Sequence, residues 1–422
     1  MPLRIAVIGA GWAGLAAAVE AVRAGHEVTA FEMAAQPGGR ARDFAHEGLT
    51  LDNGQHILIG AYVQTLRLMR VVGIDPEDVL LRTPLRLSEP DGRGLHLRPG
   101  EPRSAFAGAV LRRAGWSWRD RLSLLAAAGG WSLRGFRCAP DLSVAALTAG
   151  LGASVRRDLI EPLCVAALNT PAADASAAVF LRVLRDALFG GAGSADLLLP
   201  RRPLGELFPV PALSWLRARG AAVRMSTRVR SLTPEGPGWC VDGERFDRVL
   251  LATPAGEAAR LVAPFAPEWA ACAAAFTYEP IVTVYLEAGT TRLPEAMLAL
   301  PASASAPAQF VFDRGQLGGP AGLLAFVISG AQPWIDAGRE VTLAATVAQA
   351  RDMLGQLLAG EPRPVMLVAE KRATFRCVPR LRRPPRLIAP GLIAAGDHVD
   401  GPYPATLEGA VRSAVEAIGT LR

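Results

Sequence analysis

The chain is nearly devoid of lysine: of its 45 basic residues, all but Lys371 are arginine, and against 39 acidic residues they leave a net charge of +6. Such a bias reads first as GC-rich coding and second as a basic surface suited to anionic lipid. No basic motif interleaved with aromatics accompanies it, which argues against a nucleic-acid partner. Cysteine is scattered. Cys138, Cys164, Cys240, Cys272 and Cys377 form no close pairs, which argues against a disulfide framework and a zinc site and suits a reducing cytoplasm. No metal site is expected. No apolar run reaches the ~18–20 residues needed to span a bilayer, so any membrane contact is expected to be peripheral. The apolar start, Ile5 to Val19, carries three glycines and reads as strand, turn and helix rather than a signal peptide.

What the 422 residues do contain is 50% hydrophobic and 20% charged, enough apolar material for two domains. Arg4-Ile5-Ala6-Val7-Ile8 has the character of a strand buried on both faces. It runs into Gly9-Ala10-Gly11-Trp12-Ala13-Gly14 and then into a helical pattern, Leu15 to Val22. The glycines permit a tight turn, close backbone approach to a pyrophosphate, and close packing of helix on strand. The free N–H groups at the helix start would hold the anion. Glu27 to Glu32 reads as a second strand, and Glu32, 18 residues after Gly14, is placed to accept ribose hydroxyls.

A dinucleotide site of this kind would suit NAD or FAD. The next stretch separates them. Gln36-Pro37-Gly38-Gly39-Arg40-Ala41-Arg42 places two adjacent glycines and two arginines after the acid, a second loop able to meet a diphosphate through charge-assisted hydrogen bonds. A nicotinamide dehydrogenase has no use for it. With this loop the sequence resembles the superfamily of FAD enzymes that includes the amine oxidases, protoporphyrinogen oxidases and phytoene desaturases.

That resemblance implies an α/β fold (α+β overall) with a Rossmann-like FAD domain of the amine oxidase type. It also assigns residues at the far end. Leu392-Ile393-Ala394-Ala395-Gly396-Asp397 reads as a strand entering a turn, and Asp397 matches the family's ribityl-binding aspartate. Pro404, Ala405 and Thr406 then lead a helix whose positive end faces the flavin. Residues 221–229 resemble a strand whose end, Val229, meets adenine. Asp247 to Pro254, with Thr253, resembles the strand and turn beside the pyrophosphate. The FAD domain is thus expected from 1–70, 200–260 and 380–422, and a substrate domain from 71–199 and 261–379. The strand-like runs Ile281–Leu286 and Leu323–Ile328, and a helix over 342–358, would wall its cavity.

Within the superfamily, Leu51-Asp52-Asn53-Gly54-Gln55-His56-Ile57-Leu58, with Thr65-Leu66-Arg67-Leu68 and Pro404 to Ser413, resembles the squalene-associated FAD-dependent desaturases of bacterial hopanoid clusters, the hydroxysqualene dehydroxylases. The resemblance implies non-covalent FAD, with Asn53, Gly54, Gln55 and His56 beside it and Trp12 and Ala13 in the first loop. It implies reduction of hydroxysqualene to squalene by hydride transfer from reduced flavin N5 to an allylic cation. Such a reaction needs an apolar tunnel, exclusion of water and a proton donor. His56 is the leading candidate for that donor or for a flavin contact, with turn capping as its structural alternative. Asp52 would orient His56 or cap the following segment. Tyr403 is a further catalytic candidate or a packing residue, and His398 a lining residue of the ribityl pocket.

Residues 104–136 mix Trp116, Trp118 and Trp131 with Arg112, Arg113, Arg119, Arg121 and Arg134, a composition suited to lipid headgroups. A helix pair with its tryptophans in the core is the competing expectation. The sequence therefore points to a cytoplasmic enzyme, with peripheral contact at the inner face of the membrane and neighbouring squalene- and hopanoid-pathway enzymes as open expectations. The alternatives are an isoprenoid desaturase with the opposite electron flow, an amine oxidase, and a non-catalytic FAD-binding partner.

Overall fold

The structure, a computed structural model, describes residues 2–421. Its central sheet has six strands in the order Ala222–Arg224, Glu27–Phe31, Arg4–Ile8, Arg248–Leu251, Leu392–Ala394 and Leu387–Ala389. The first five run parallel, and the last is antiparallel to its neighbour. Alternation along the first strand decides which layer each side chain joins. Ile5 and Val7 enter the core beneath the helices Trp12–Arg23 and Leu407–Gly419, while Ala6 and Ile8 enter the core on the opposite face. A strand buried on both faces must be apolar throughout, and this one is apolar from Ile5 onward.

A second sheet of five antiparallel strands runs in the order Met297–Ala299, Phe310–Asp313, Leu323–Ser329, Tyr278–Glu287 and Arg363–Phe375. Val282, Val284, Phe326 and Ile328 face the helix Arg339–Leu354. Tyr285, Phe310, Phe312 and Val327 face the other way, toward Leu51, Leu197 and Leu199. The 13-residue strand Arg363–Phe375 ties the two sheets together, since its last residue, Phe375, joins the core of the first. The expected strand over 221–229 is shorter than its pattern suggested. It pairs only through Arg224, and Ser226 takes a left-handed φ of 54°, which ends the ladder.

Residues 102–189 form an all-helical layer with its own core, including Phe106, Trp116, Leu124, Trp131, Phe180 and Leu184. One of its helices widens into a π-turn over Arg156–Ile160 just before Pro162. Proline offers no N–H to the preceding turn and its ring crowds that turn's carbonyl, which the wider turn accommodates. Trp116 and Trp131 lie buried in this core, and only Trp118 of the three tryptophans faces outward, 65% exposed.

Candidate active site

The site is assembled from backbone before side chains. Gly9 has φ of 107°, and a methyl group on Gly14 would sit 1.8 Å from the Gly9 carbonyl oxygen. Only glycine at both places lets the helix start so close to the strand end. The helix Trp12–Arg23 begins at Gly11 with no side-chain cap, leaving first-turn N–H groups for an external anion. Gly38 and Gly39, at φ of 107° and 63°, lay the second loop against the first. Gly38 N–H donates to the Ala10 carbonyl at 2.9 Å, and Gly11 bridges Gly38 in parallel.

Glu32 lies just beyond its strand, with its carboxylate accepting the N–H groups of Ala10 (2.7 Å) and Ala34 (2.8 Å). Each oxygen keeps a lone pair for a ribose hydroxyl. Trp12 donates its indole N–H to the Ala41 carbonyl at 3.1 Å, pinning the first helix to the second loop. Asn53 clamps that loop from the other side: its amide donates to the Arg40 carbonyl and accepts Arg42 N–H.

The two chain ends meet at Arg40 and Asp397, 2.5 Å apart. The arginine therefore differs from a simple diphosphate ligand, because its guanidinium also donates to the Ala373 carbonyl at 3.1 Å. Burial works against the charged Asp397 carboxylate, but Arg40 and His398 beside it hold the group well below the usual carboxylate range. Gly396 N–H donates to Ser413 Oγ at 2.8 Å, which joins this turn to the final helix. That helix, Leu407–Gly419, is capped by Thr406, whose Oγ1 accepts Gly409 N–H at 2.9 Å, after Ala405 takes a left-handed φ of 55°. Pro404 is buried just before it.

The catalytic candidates separate. His56 is held by Gly54, with Nδ1 at 3.1 Å from the Gly54 carbonyl, and burial lowers its pKa while that carbonyl opposes the shift. Asp52 turns away from it. Its Oδ1 accepts Leu204 N–H at 2.8 Å, capping the turn Leu204–Leu207, and Oδ2 lies 3.8 Å from Arg314. Asp52 is thus a capping group rather than an orienter of His56, and burial raises its pKa to about 6. The ring of Tyr403 lies between the guanidinium groups of Arg182 and Arg412, at 5.2 and 4.7 Å, so packing accounts for it. His398 is buried against Asp397, with Nδ1 at 3.9 Å.

Residues that the sequence did not single out complete the site. Arg314 donates to Gln55 Oε1 (3.1 Å), Gln55 Nε2 donates to the Tyr285 hydroxyl (2.8 Å), and that hydroxyl donates to the Asp52 carbonyl (2.8 Å). Glu408, fully buried, accepts the N–H groups of Gln64 and Thr65 and thereby caps the helix Val63–Val71. Their partners lie hundreds of positions away in sequence, so no local pattern could mark them.

An FAD fits what these residues leave open. Thr253 Oγ1 and His398 Nε2 are buried without a hydrogen-bond partner among the described residues. Thr253 follows Ala252, whose N–H donates to the Ile8 carbonyl at 2.8 Å and whose own carbonyl oxygen would lie 2.5 Å from a methyl group on Gly9. Uncapped N–H groups, a second glycine loop and an unpartnered hydroxyl thus lie together at the end of the first strand, as a dinucleotide diphosphate requires. A model of the family described as flavin containing amine oxidoreductase matches residues 12–417. The chain belongs to that family. It is an FAD-dependent oxidoreductase.

Relatives narrow the placement to the hydroxysqualene dehydroxylase branch. The hydroxysqualene dehydroxylase of Rhodopseudomonas palustris is 30% identical, over 98% of this chain and 97% of its own. That of Sinorhizobium fredii is 28% identical over the same shares. Among solved structures, the cyclohexylamine oxidase of Brevibacterium oxydans superimposes with a TM-score of 0.72 at 14% identity, covering 100% of this chain and 99% of that one, which supports the fold.

Proposed function

We propose that this FAD-dependent oxidoreductase of isoprenoid metabolism reduces hydroxysqualene to squalene and water. The full-length similarity to the Rhodopseudomonas palustris dehydroxylase carries this reading, and the apolar sheet face beside the Asp52–His56 segment supports it. Reduced FAD, when bound, supplies the hydride. The substrate's C–O bond breaks, the oxygen leaves as water with one added proton, and the new C–H bond receives both electrons.

The chain's own residues have three tasks. Glu32, Thr253, Asp397 and the two glycine loops hold the cofactor. The apolar packing of Tyr285, Phe310, Phe312 and Val327 on Leu51, Leu197 and Leu199 keeps water from the region beside Asp52–His56, as an allylic cation requires. His56 delivers the proton. Its lowered pKa makes the imidazolium scarce but a stronger acid. Turnover should therefore fall as pH rises, with the limb below the ordinary histidine range, and His56→Gln should abolish that limb. A profile unchanged by the substitution would remove His56 from the role.

Because the substrate partitions into bilayers, the enzyme works at the inner face of the cytoplasmic membrane, beside enzymes of the neighbouring squalene and hopanoid steps. Reduced holoenzyme incubated anaerobically with hydroxysqualene tests the reading. Squalene is the expected product. Its absence, together with dehydrogenated product from a more saturated isoprenoid and oxidised enzyme, would assign a desaturase instead.

A further inference from the structure

Within the helical layer, the helix Trp118–Leu133 is apolar on two opposite faces. Inward, Leu124 and Trp131 are buried, and with Phe106, Leu159, Leu184 and Phe189 they line an apolar cavity. Outward, Trp118, Leu122, Ala126, Gly129 and Leu133 recur at helical spacing and are all exposed. Trp118 is 65%, Leu122 59% and Leu133 92% exposed. At about 1.5 Å per residue the stripe is roughly 22 Å long. A helix apolar on all sides is normally buried on all sides, and an exposed stripe of this size marks a surface meant to be covered.

The surrounding charge indicates by what. Arg119 sits next to Trp118 in the helix and Arg134 directly follows Leu133, while Arg112 and Arg137 lie in the adjoining segments; all four are exposed, and none forms an ion pair among the described residues. The only acid in the helix, Asp120, is engaged in the capping box with Ser117. We propose that this helix docks the enzyme on an anionic lipid surface. Trp118, Leu122 and Leu133 enter the acyl boundary, and the four arginines meet headgroup phosphates. At 16 residues the helix is too short to span a bilayer, so it lies in the interface plane. A second copy of the chain is the weaker occupant, since a two-fold pairing of this face would oppose arginine to arginine.

Docked in this way, the helix would pass an isoprenoid chain from the lipid toward the enzyme; the apolar space behind Leu124 and Trp131, about 20 Å³, is water-sized and does not itself hold the chain. That supply role rests on the proposed substrate, whereas the docking itself does not. The test is co-sedimentation of FAD-loaded full-length enzyme with vesicles of phosphatidylcholine alone or mixed equally with phosphatidylglycerol. The enzyme should bind the mixed vesicles and be released by salt. The variants Leu122→Ser/Leu133→Ser and Arg119→Glu/Arg134→Glu should each lose about tenfold or more of that binding, with unchanged FAD content and melting. Wild type left in the supernatant, equal binding to neutral vesicles, or variants that bind like wild type would overturn the proposal. So would a dimer that the leucine variant disperses without any vesicle binding. With hydroxysqualene in detergent micelles the leucine variant should match wild type, and on vesicles it should fall behind. Failure of wild type in micelles would count against the substrate reading and leave the sedimentation result standing.

Discussion

The nucleotide-binding half and the helical layer are stabilised in opposite ways. Around Gly9, Gly14 and Gly38, backbone atoms approach so closely that a single methyl group has no room, and buried charges are paired, Asp397 with Arg40 and Glu408 with the N–H groups of Gln64 and Thr65. The helical layer has a core of ordinary apolar side chains, a small apolar cavity within it, and large hydrophobics left outside. One half is specified by geometry and tolerates no substitution at its contacts. The other is specified by apolar character, which many sequences can supply. A cofactor shared across a whole superfamily suits the first kind of construction.

The comparison is broken most severely at Gly14. Gly14→Ala drives a methyl group into the Gly9 carbonyl and should cost more than about 4 kcal/mol, leaving little soluble FAD-bound protein. If it purifies yellow and melts normally, the geometric account of the first half is wrong. In the helical layer, Trp131→Ala should cost about 3–5 kcal/mol by enlarging a space already present, measured by denaturant unfolding, yet leave FAD content unchanged once folded.

Asp52 lies between the nucleotide-binding core and the second sheet, meeting Leu204 and Arg314, and its effect depends on pH. Its carboxyl is raised to about 6 in the folded state from an ordinary 3.8, so the folded protein holds this proton longer than the unfolded chain. Stability from this group is present below about pH 4 and lost as pH rises to about 6, by roughly 3 kcal/mol. Unfolding of wild type relative to Asp52→Asn should show that fall, and parallel curves would contradict it. Asp397→Ala should weaken FAD roughly 10- to 100-fold, the loss of charged hydrogen bonds, read by cofactor titration. Trp118→Ala should be the mildest, within about 0.5 kcal/mol of wild type.

The same contrast governs what could be read from sequence. Glycine spacing made the turn from Ile8 to Trp12 and the second loop legible, because local backbone demands leave local signatures. The strands over 281–286 and 323–328 were legible from apolar runs and lie within Tyr278–Glu287 and Leu323–Ser329. The helix expected over 342–358 is Arg339–Leu354, since periodicity marks an element better than its ends. Illegible were contacts between distant segments. Asp52 read equally as an orienter of His56 or a cap of the following segment, whereas its carboxylate meets the distant Leu204 and Arg314. Composition marked residues 104–136 as tryptophan- and arginine-rich but could not say that Trp116 and Trp131 turn inward and Trp118 outward.

The central claim, that this site gives electrons to an allylic alcohol, is tested most directly by anaerobic single turnover. Enzyme carrying stoichiometric reduced FAD is mixed with hydroxysqualene while flavin absorbance and products are followed together. The account predicts that oxidised-flavin absorbance returns at the rate squalene appears, one equivalent for one. Flavin that stays reduced while hydroxysqualene remains intact would contradict it.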